Sequence, residues 1–224
     1  MKLNKFSEFM GSIQEWPKMV YGNPLRYQKT LMDNGSDSLV KAQRSGLMNS
    51  WMEMNPPDQH KIREEFTNLM KVSENLSEDD KKFIEKSEED LVKIFHEFLT
   101  ANQKEDTYAE IFGVTFEMDP ITFILKYHWN YPRPFQLAYY YGVPFYPEQA
   151  SNASSPSYPS GHTIDSFVIA LLYGKKYPEL AEDLLKLAEK ISYTRQQGGL
   201  HYFFDAEMGK KIAKDAVALE IIKL

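Results

Sequence analysis

The sequence predicts an all-α fold, a single-domain helical bundle. Three observations carry that prediction. Apolar residues recur at helical spacing in separate segments, around 62–70, 83–98, 180–191 and 208–219. No segment sustains the period-two alternation of a half-buried strand. The helical segments are bounded by Ser, Asp, Gly and Pro punctuation. A chain of 224 residues fits one domain, with or without an appendage, and is long enough to bury its own core.

Residues 1–57 read as an irregular, partly helical N-terminal segment packed on the domain, and residues 58–224 as the helical domain itself. Pro17, Gly22-Asn23-Pro24, Asn34-Gly35 and Pro56-Pro57 divide the first segment into short pieces. One helix is expected over 39–54, interrupted at Ser45-Gly46, with Met48, Trp51, Met52 and Met54 as core filler. Ile62, Phe66, Leu69 and Met70 give residues 58–72 a helical face started at Pro57-Asp58. Ser77 with Asp80 reads as a capping box, and Phe83, Ile84, Leu91, Ile94, Phe95 and Phe98 then form one continuous apolar face. The acidic run Glu88 to Asp90 reads as the solvated side of that helix, because no His or Asp partner stands at metal-ligand spacing.

Asp119-Pro120 reads as a helix start, which places Lys126 in the second turn of a helix over 121–129. Pro132 and Pro134 stop it, leaving Arg133 on extended chain. Residues 135–141 lead into a loop, and the Ser-rich stretch 150–157 is expected to line the mouth of a pocket. Tyr139, Tyr140, Tyr141, Phe145 and Tyr146 divide between core packing and stacking on an aromatic or nucleoside leaving group. Leu180, Leu184, Leu187, Ala188 and Ile191 make 179–193 an amphipathic helix that delivers Arg195, and Gly198-Gly199 ends it. His201 starts the last helix, so His201 and Asp205 share one of its faces. His60, His96 and His128 belong to no motif and read as structural.

Composition excludes several classes. There are no cysteines, hence no disulfides, thiolate metal sites or cysteine nucleophiles. A net charge of −6 argues against a broad nucleic-acid or anionic-membrane surface, and makes Lys126, Arg133 and Arg195 a local cationic island. No run approaches the length of a membrane span, so no integral membrane segment is expected. Residues 1–16 show no apolar h-region, so the expected compartment is the cytoplasm, or the periplasm or exterior if a leader precedes this sequence.

The chemistry is concentrated in three blocks. Lys126 to Pro134 supplies Lys-x6-Arg-Pro; Pro159 to His162 supplies Pro-Ser-Gly-His ahead of an apolar run; Arg195 to Asp205 supplies Arg-x5-His-x3-Asp. The middle block is an ordinary turn sequence by itself. As a helix start, it presents free N–H groups, and Gly161 admits an oxyanion close to the backbone. In this order and spacing the blocks resemble the type 2 phosphatidic acid phosphatase superfamily. That superfamily includes soluble bacterial class A acid phosphatases, membrane lipid phosphatases and vanadium-dependent haloperoxidases. Thr194 stands where the family usually has Ser.

The resemblance implies a helical bundle of the acid phosphatase and haloperoxidase type. It also implies a phosphatase acting on a small phosphorylated substrate, either a phosphomonoester or a diphosphate. Lys126, Arg133 and Arg195 would neutralise phosphoryl oxygens, with Ser160 and the Gly161 N–H holding another. His201 would be the nucleophile, its tautomer set by Asp205, and His162 the general acid and then the base for water. No metal and no cofactor are expected, because three cations take the place of Mg²⁺. Two alternatives stay open: a haloperoxidase holding vanadate in the same pocket, and a non-catalytic phosphate-binding protein. Substrate identity and oligomeric state are open in the sequence.

Overall fold

The computed structural model describes residues 36–57, 59–74, 76–140, 145, 153 and 155–224, without the side chains of Gln59, His60, Arg63, Tyr139 and Tyr140. The readings made at Pro17, Gly22-Asn23-Pro24, Asn34-Gly35, Tyr141 and Tyr146 lie outside the described residues, as do the side chains of Tyr139 and Tyr140. The regular secondary structure among the described residues is all helical, with no strand. In chain order the helices are α1 (Asp37–Arg44), α2 (Leu47–Met52), α3 (Gln59–Ser73), α4 (Glu78–Glu89), α5 (Leu91–Ala101), α6 (Tyr108–Trp129), α7 (Pro134–Tyr140), α8 (Gly161–Lys176), α9 (Ala181–Gln197) and α10 (Phe203–Ala218). A 3₁₀ turn at Pro178–Leu180 precedes α9.

Helix α8 is the centre of the bundle and packs on α9, α10 and α6. Its Ile164, Val168 and Ile169 are wholly buried. Helix α9 is also covered by α3 and α4, and α6 by α1, α2 and α5. Gly209 brings α10 against the start of α8: a Cβ there would stand 3.0 Å from the Ser160 carbonyl oxygen and 3.0 Å from Thr163 Cβ.

Residues 36–57 are tied to the bundle by polar contacts. Ser36 Oγ donates to the Glu117 carboxylate at 3.0 Å, and Trp51 Nε1 donates to Asp215 at 3.0 Å. The interruption expected at Ser45-Gly46 separates α1 from α2, where Gly46 takes the left-handed φ of 79°.

Two element expectations are corrected. Asp119-Pro120 is not a helix start, since α6 begins eleven residues before Asp119 and carries Pro120 in its interior. The true start is the capping box of Thr107 and Glu110, in which Glu110 accepts the Thr107 N–H at 2.7 Å. An interior proline costs about 3 kcal/mol. Here burial of Ile111, Val114, Met118, Ile121 and Leu125 along the same helix offsets it. Lys126 therefore stands in the last turn of a 22-residue helix, not in its second turn.

The second correction is the face expected to run unbroken from 83 to 98. The chain turns at Asp90, which closes α4 through its N–H and opens α5 by accepting the Lys93 N–H at 2.9 Å. The Ser77–Asp80 capping box is present as read.

Candidate active site

The three sequence blocks converge at one end of α8. Asn130 ends α6 in the left-handed region, φ 49°, and turns the chain back over the site. Lys126 Nζ donates to the Pro156 carbonyl at 2.6 Å and to the Ser157 carbonyl at 3.2 Å. Arg133, on the short non-helical link to α7, donates from Nε to the Ser155 carbonyl at 2.8 Å and from Nη1 to the Leu200 carbonyl at 3.1 Å. Ser155 to Ser157 thus cradle two cations from inside. This corrects the expectation for these residues: Pro156 and Ser157 are buried in the site and do not line its mouth.

Ser160 is the N-cap of α8 and is fully buried. Its N–H donates to the Asp205 carbonyl at 3.1 Å, and its hydroxyl accepts from Thr163 at 3.0 Å. A Cβ on Gly161 would meet Thr122 Cγ2 at 3.4 Å and Lys126 Cε at 3.8 Å, so the glycine lies directly over the lysine stem. Arg195 projects from the last turn of α9 into an ion pair with Glu88, and its buried Nε has no acceptor.

His201 lies two residues before α10 and not on it, another departure from the sequence reading. Its partnership with Asp205 holds nonetheless: Nδ1 is 2.9 Å from Asp205 Oδ2 across the helix start. The same oxygen accepts the Tyr202 N–H at 3.0 Å and the Ser157 hydroxyl at 2.5 Å. A carboxylate only accepts, so Nδ1 carries the proton and Nε2 keeps its lone pair. That nitrogen is 3.3 Å from Arg133 Nη1. The Glu65 carboxylate from α3 fixes the start of α10 by accepting the Phe203 N–H at 2.7 Å.

An aromatic floor packs behind these groups. Tyr202 and Phe204 stack at 4.9 Å, and Tyr131 meets Phe204 edge-on at 5.5 Å. Phe145 packs its ring on Phe66 at 5.3 Å, as a core residue. His128 is exposed and His96 leans on Tyr108, both away from the site.

Burial and charge set the protonation states. Burial, then the fields of Arg133 and Lys126, hold His201 well below the usual imidazole range, so it is neutral. Burial, then Arg195, Arg133 and Lys126, also depress His162, while a hydrogen bond to the Ser87 backbone carbonyl raises it. Burial pushes the Asp205 carboxyl up to about 7, against the hydrogen bonds from Ser157 and Tyr202 and the charge of Lys126. Lys126 is depressed by burial and by Arg133, a state that a bound anion would relieve.

Two contributors were missed in the sequence. Glu88, expected on a solvated face, turns inward to Arg195 and lies 3.9 Å from His162 Nε2. Ser157, one residue of a Ser-rich loop, braces Asp205. Thr194, the departure from the family pattern, donates to the Ile191 carbonyl at 2.7 Å and lies 3.1 Å from the Ser87 hydroxyl, so its oxygen joins α9 to α4. Among the described residues, no cluster of three or more His, Cys, Asp or Glu could hold a metal.

Fold and site together define an all-helical protein with three buried cations, the buried His201 imidazole and the half-buried His162 imidazole at the N-terminus of its central helix. Residues 109–213 match the family model of the PAP2 superfamily. A match to that superfamily implies phosphatase-type activity in general. The match runs from the second residue of α6 into α10 and includes every site residue named in the three blocks. No curated protein matches the chain. No helix among the described residues is long and apolar enough to cross a membrane.

Proposed function

We propose that this protein is a metal-independent phosphatase of the acid phosphatase kind, hydrolysing small phosphomonoesters or diphosphates through a phosphohistidine on His201. The observation that carries this reading is the His201 ring: buried, neutral, with Nδ1 held by Asp205 at 2.9 Å and Nε2 directed to the cations. In the first step Nε2 attacks phosphorus and the bond to the leaving oxygen breaks. His162 delivers a proton to that oxygen. Positive charge growing on the His201 ring is balanced by Asp205. In the second step His162 takes a proton from water, whose oxygen attacks phosphorus as the His201 Nε2–P bond breaks, returning His201 to its neutral form and releasing phosphate.

Lys126, Arg133 and Arg195 stabilise charge on the non-bridging oxygens, the role a divalent ion fills in other phosphoryl-transfer sites. The unpartnered Arg195 Nε–H supports this assignment, because a buried donor without an acceptor is costly unless a ligand supplies one.

The test is a phosphate-release screen over aryl and alkyl phosphates, nucleotides and diphosphates with EDTA present. Turnover is expected to persist under chelation, and orthovanadate should inhibit competitively as a mimic of the trigonal-bipyramidal transition state. Loss of turnover on chelation with restoration by Mg²⁺ would overturn metal independence. Bromide oxidation with vanadate and peroxide, without phosphatase turnover, would assign the protein to the haloperoxidases.

A further inference from the structure

The three motif blocks do not include α4, yet the C-terminal end of that helix touches two of their residues. Glu88 pairs with the Arg195 guanidinium, and its carboxylate lies 3.9 Å from His162 Nε2. The adjacent Ser87 gives its backbone carbonyl to the His162 ring and places its hydroxyl 3.1 Å from Thr194 Oγ1, beside Arg195. The turn at Asp90 makes this possible. Ser87 is among the last four residues of α4, where carbonyls run out of partners within the helix. A helix continued past Asp90 would have consumed that acceptor. The Glu88 side chain is only 12% exposed, so its charge is little screened.

We propose that Glu88 is a positioning residue for the general acid: with the Ser87 carbonyl beside it, it orients His162 and favours the protonated ring, while fixing the Arg195 fork. The need for such a group follows from the surroundings of His162. Arg195 from α9, Lys126 from α6 and Arg133 from the link after α6 all oppose a proton on the ring, and His201 ahead of α10 adds none of the missing negative charge. Asp165, one turn along α8, has its carboxyl pushed well up by burial and by Asp119, which keeps it uncharged. Glu88 is therefore the anion that can hold His162 in its proton-donating form.

The inference rests on the phosphatase reading for its kinetic consequence, but its first readout requires no turnover. In protein labelled at the histidine ring carbons, the His162 resonance is titrated by NMR in wild type and in Glu88→Gln. The proton affinity of His162 is expected to fall about tenfold in the variant. Kinetically, Glu88→Gln should slow hydrolysis of an alkyl phosphate about 10- to 100-fold. A nitrophenyl phosphate, whose leaving group needs little protonation, should lose only a few-fold. An unchanged or upward His162 titration in folded Glu88→Gln, or equal losses on both substrates, would overturn the proposal. If Glu88→Gln does not fold, Glu88→Asp keeps the charge but withdraws it, and should lower the His162 affinity by a smaller factor; a wild-type titration there counts against the proposal. A wild type without phosphatase turnover would instead overturn the functional reading and leave the titration result standing.

Discussion

Asp205 Oδ2 accepts from His201, Ser157 and Tyr202, whereas buried Oδ1 has no partner. This one oxygen orients the imidazole, and the two histidines test the mechanism at the scale of single residues. His201→Ala should abolish both turnover and any covalent phosphoenzyme. His162→Ala should lose about 10²- to 10⁴-fold with alkyl phosphates. With a nitrophenyl phosphate it should still form the phosphoenzyme, which then persists because water lacks its base. Acid-quenched trapping of labelled phosphate on wild type and both variants checks this; label retained on His201→Ala would reassign the nucleophile. The candidate residues that the fold brings together were legible because their types and spacings lie within three short blocks. Glu88 and Ser157 were not, because their partners Arg195 and Asp205 stand 107 and 48 positions away. An acidic run and a Ser-rich loop carry no local mark of such pairing.

At the scale of elements, caps and glycine breaks were the readable signals. Ser77–Asp80, Ser45-Gly46 and Gly198-Gly199 end or begin helices where their local chemistry requires it. Asp119-Pro120 misled because the same pair that starts a helix can be overridden by packing: an earlier capping box and five buried apolar side chains carry α6 through it. The turn at Asp90 was hidden because α4 and α5 keep nearly the same apolar register. Tertiary closeness between helices left no pattern at all, and Gly209 is the sharpest case. Gly209→Ala would press a methyl against the Ser160 carbonyl and Thr163, forcing α10 away from the start of α8. A loss of about 1–3 kcal/mol is expected, typical of overpacking. Because the same displacement carries His201 away from Ser160 and Gly161, activity should fall together with thermal stability. Urea denaturation and phosphate release on the variant check this; an unchanged midpoint would show that α10 can shift without cost.

Across the whole molecule, burial of titratable groups sets two opposing pH dependences. His162 and His201 are depressed, so below about 6.5 the unfolded chain takes up protons that the folded one refuses, and stability falls as pH drops. Asp119 and Asp165 act in the other direction. Asp119, on α6, is pushed up to about 6 by burial, and Asp165, on α8, is raised well above 3.8 by burial and by Asp119. Between about 4 and the folded values, the unfolded chain releases protons that the folded one retains. Their contribution is therefore complete below about 4 and is lost as pH rises, for Asp119 through about 6. Asp165→Asn removes one of these carboxyls without changing the shape of the site. It should raise Tm by about 2–6 °C at pH 8, where the buried carboxyl of wild type is under pressure to ionise. At pH 4, where that carboxyl is already neutral, the variant should match wild type. Thermal melts of both proteins from pH 4 to 8 decide the matter. A gain of equal size at both ends would mean that Asp165 acts through packing alone and that the carboxyl pair does not shape the pH profile.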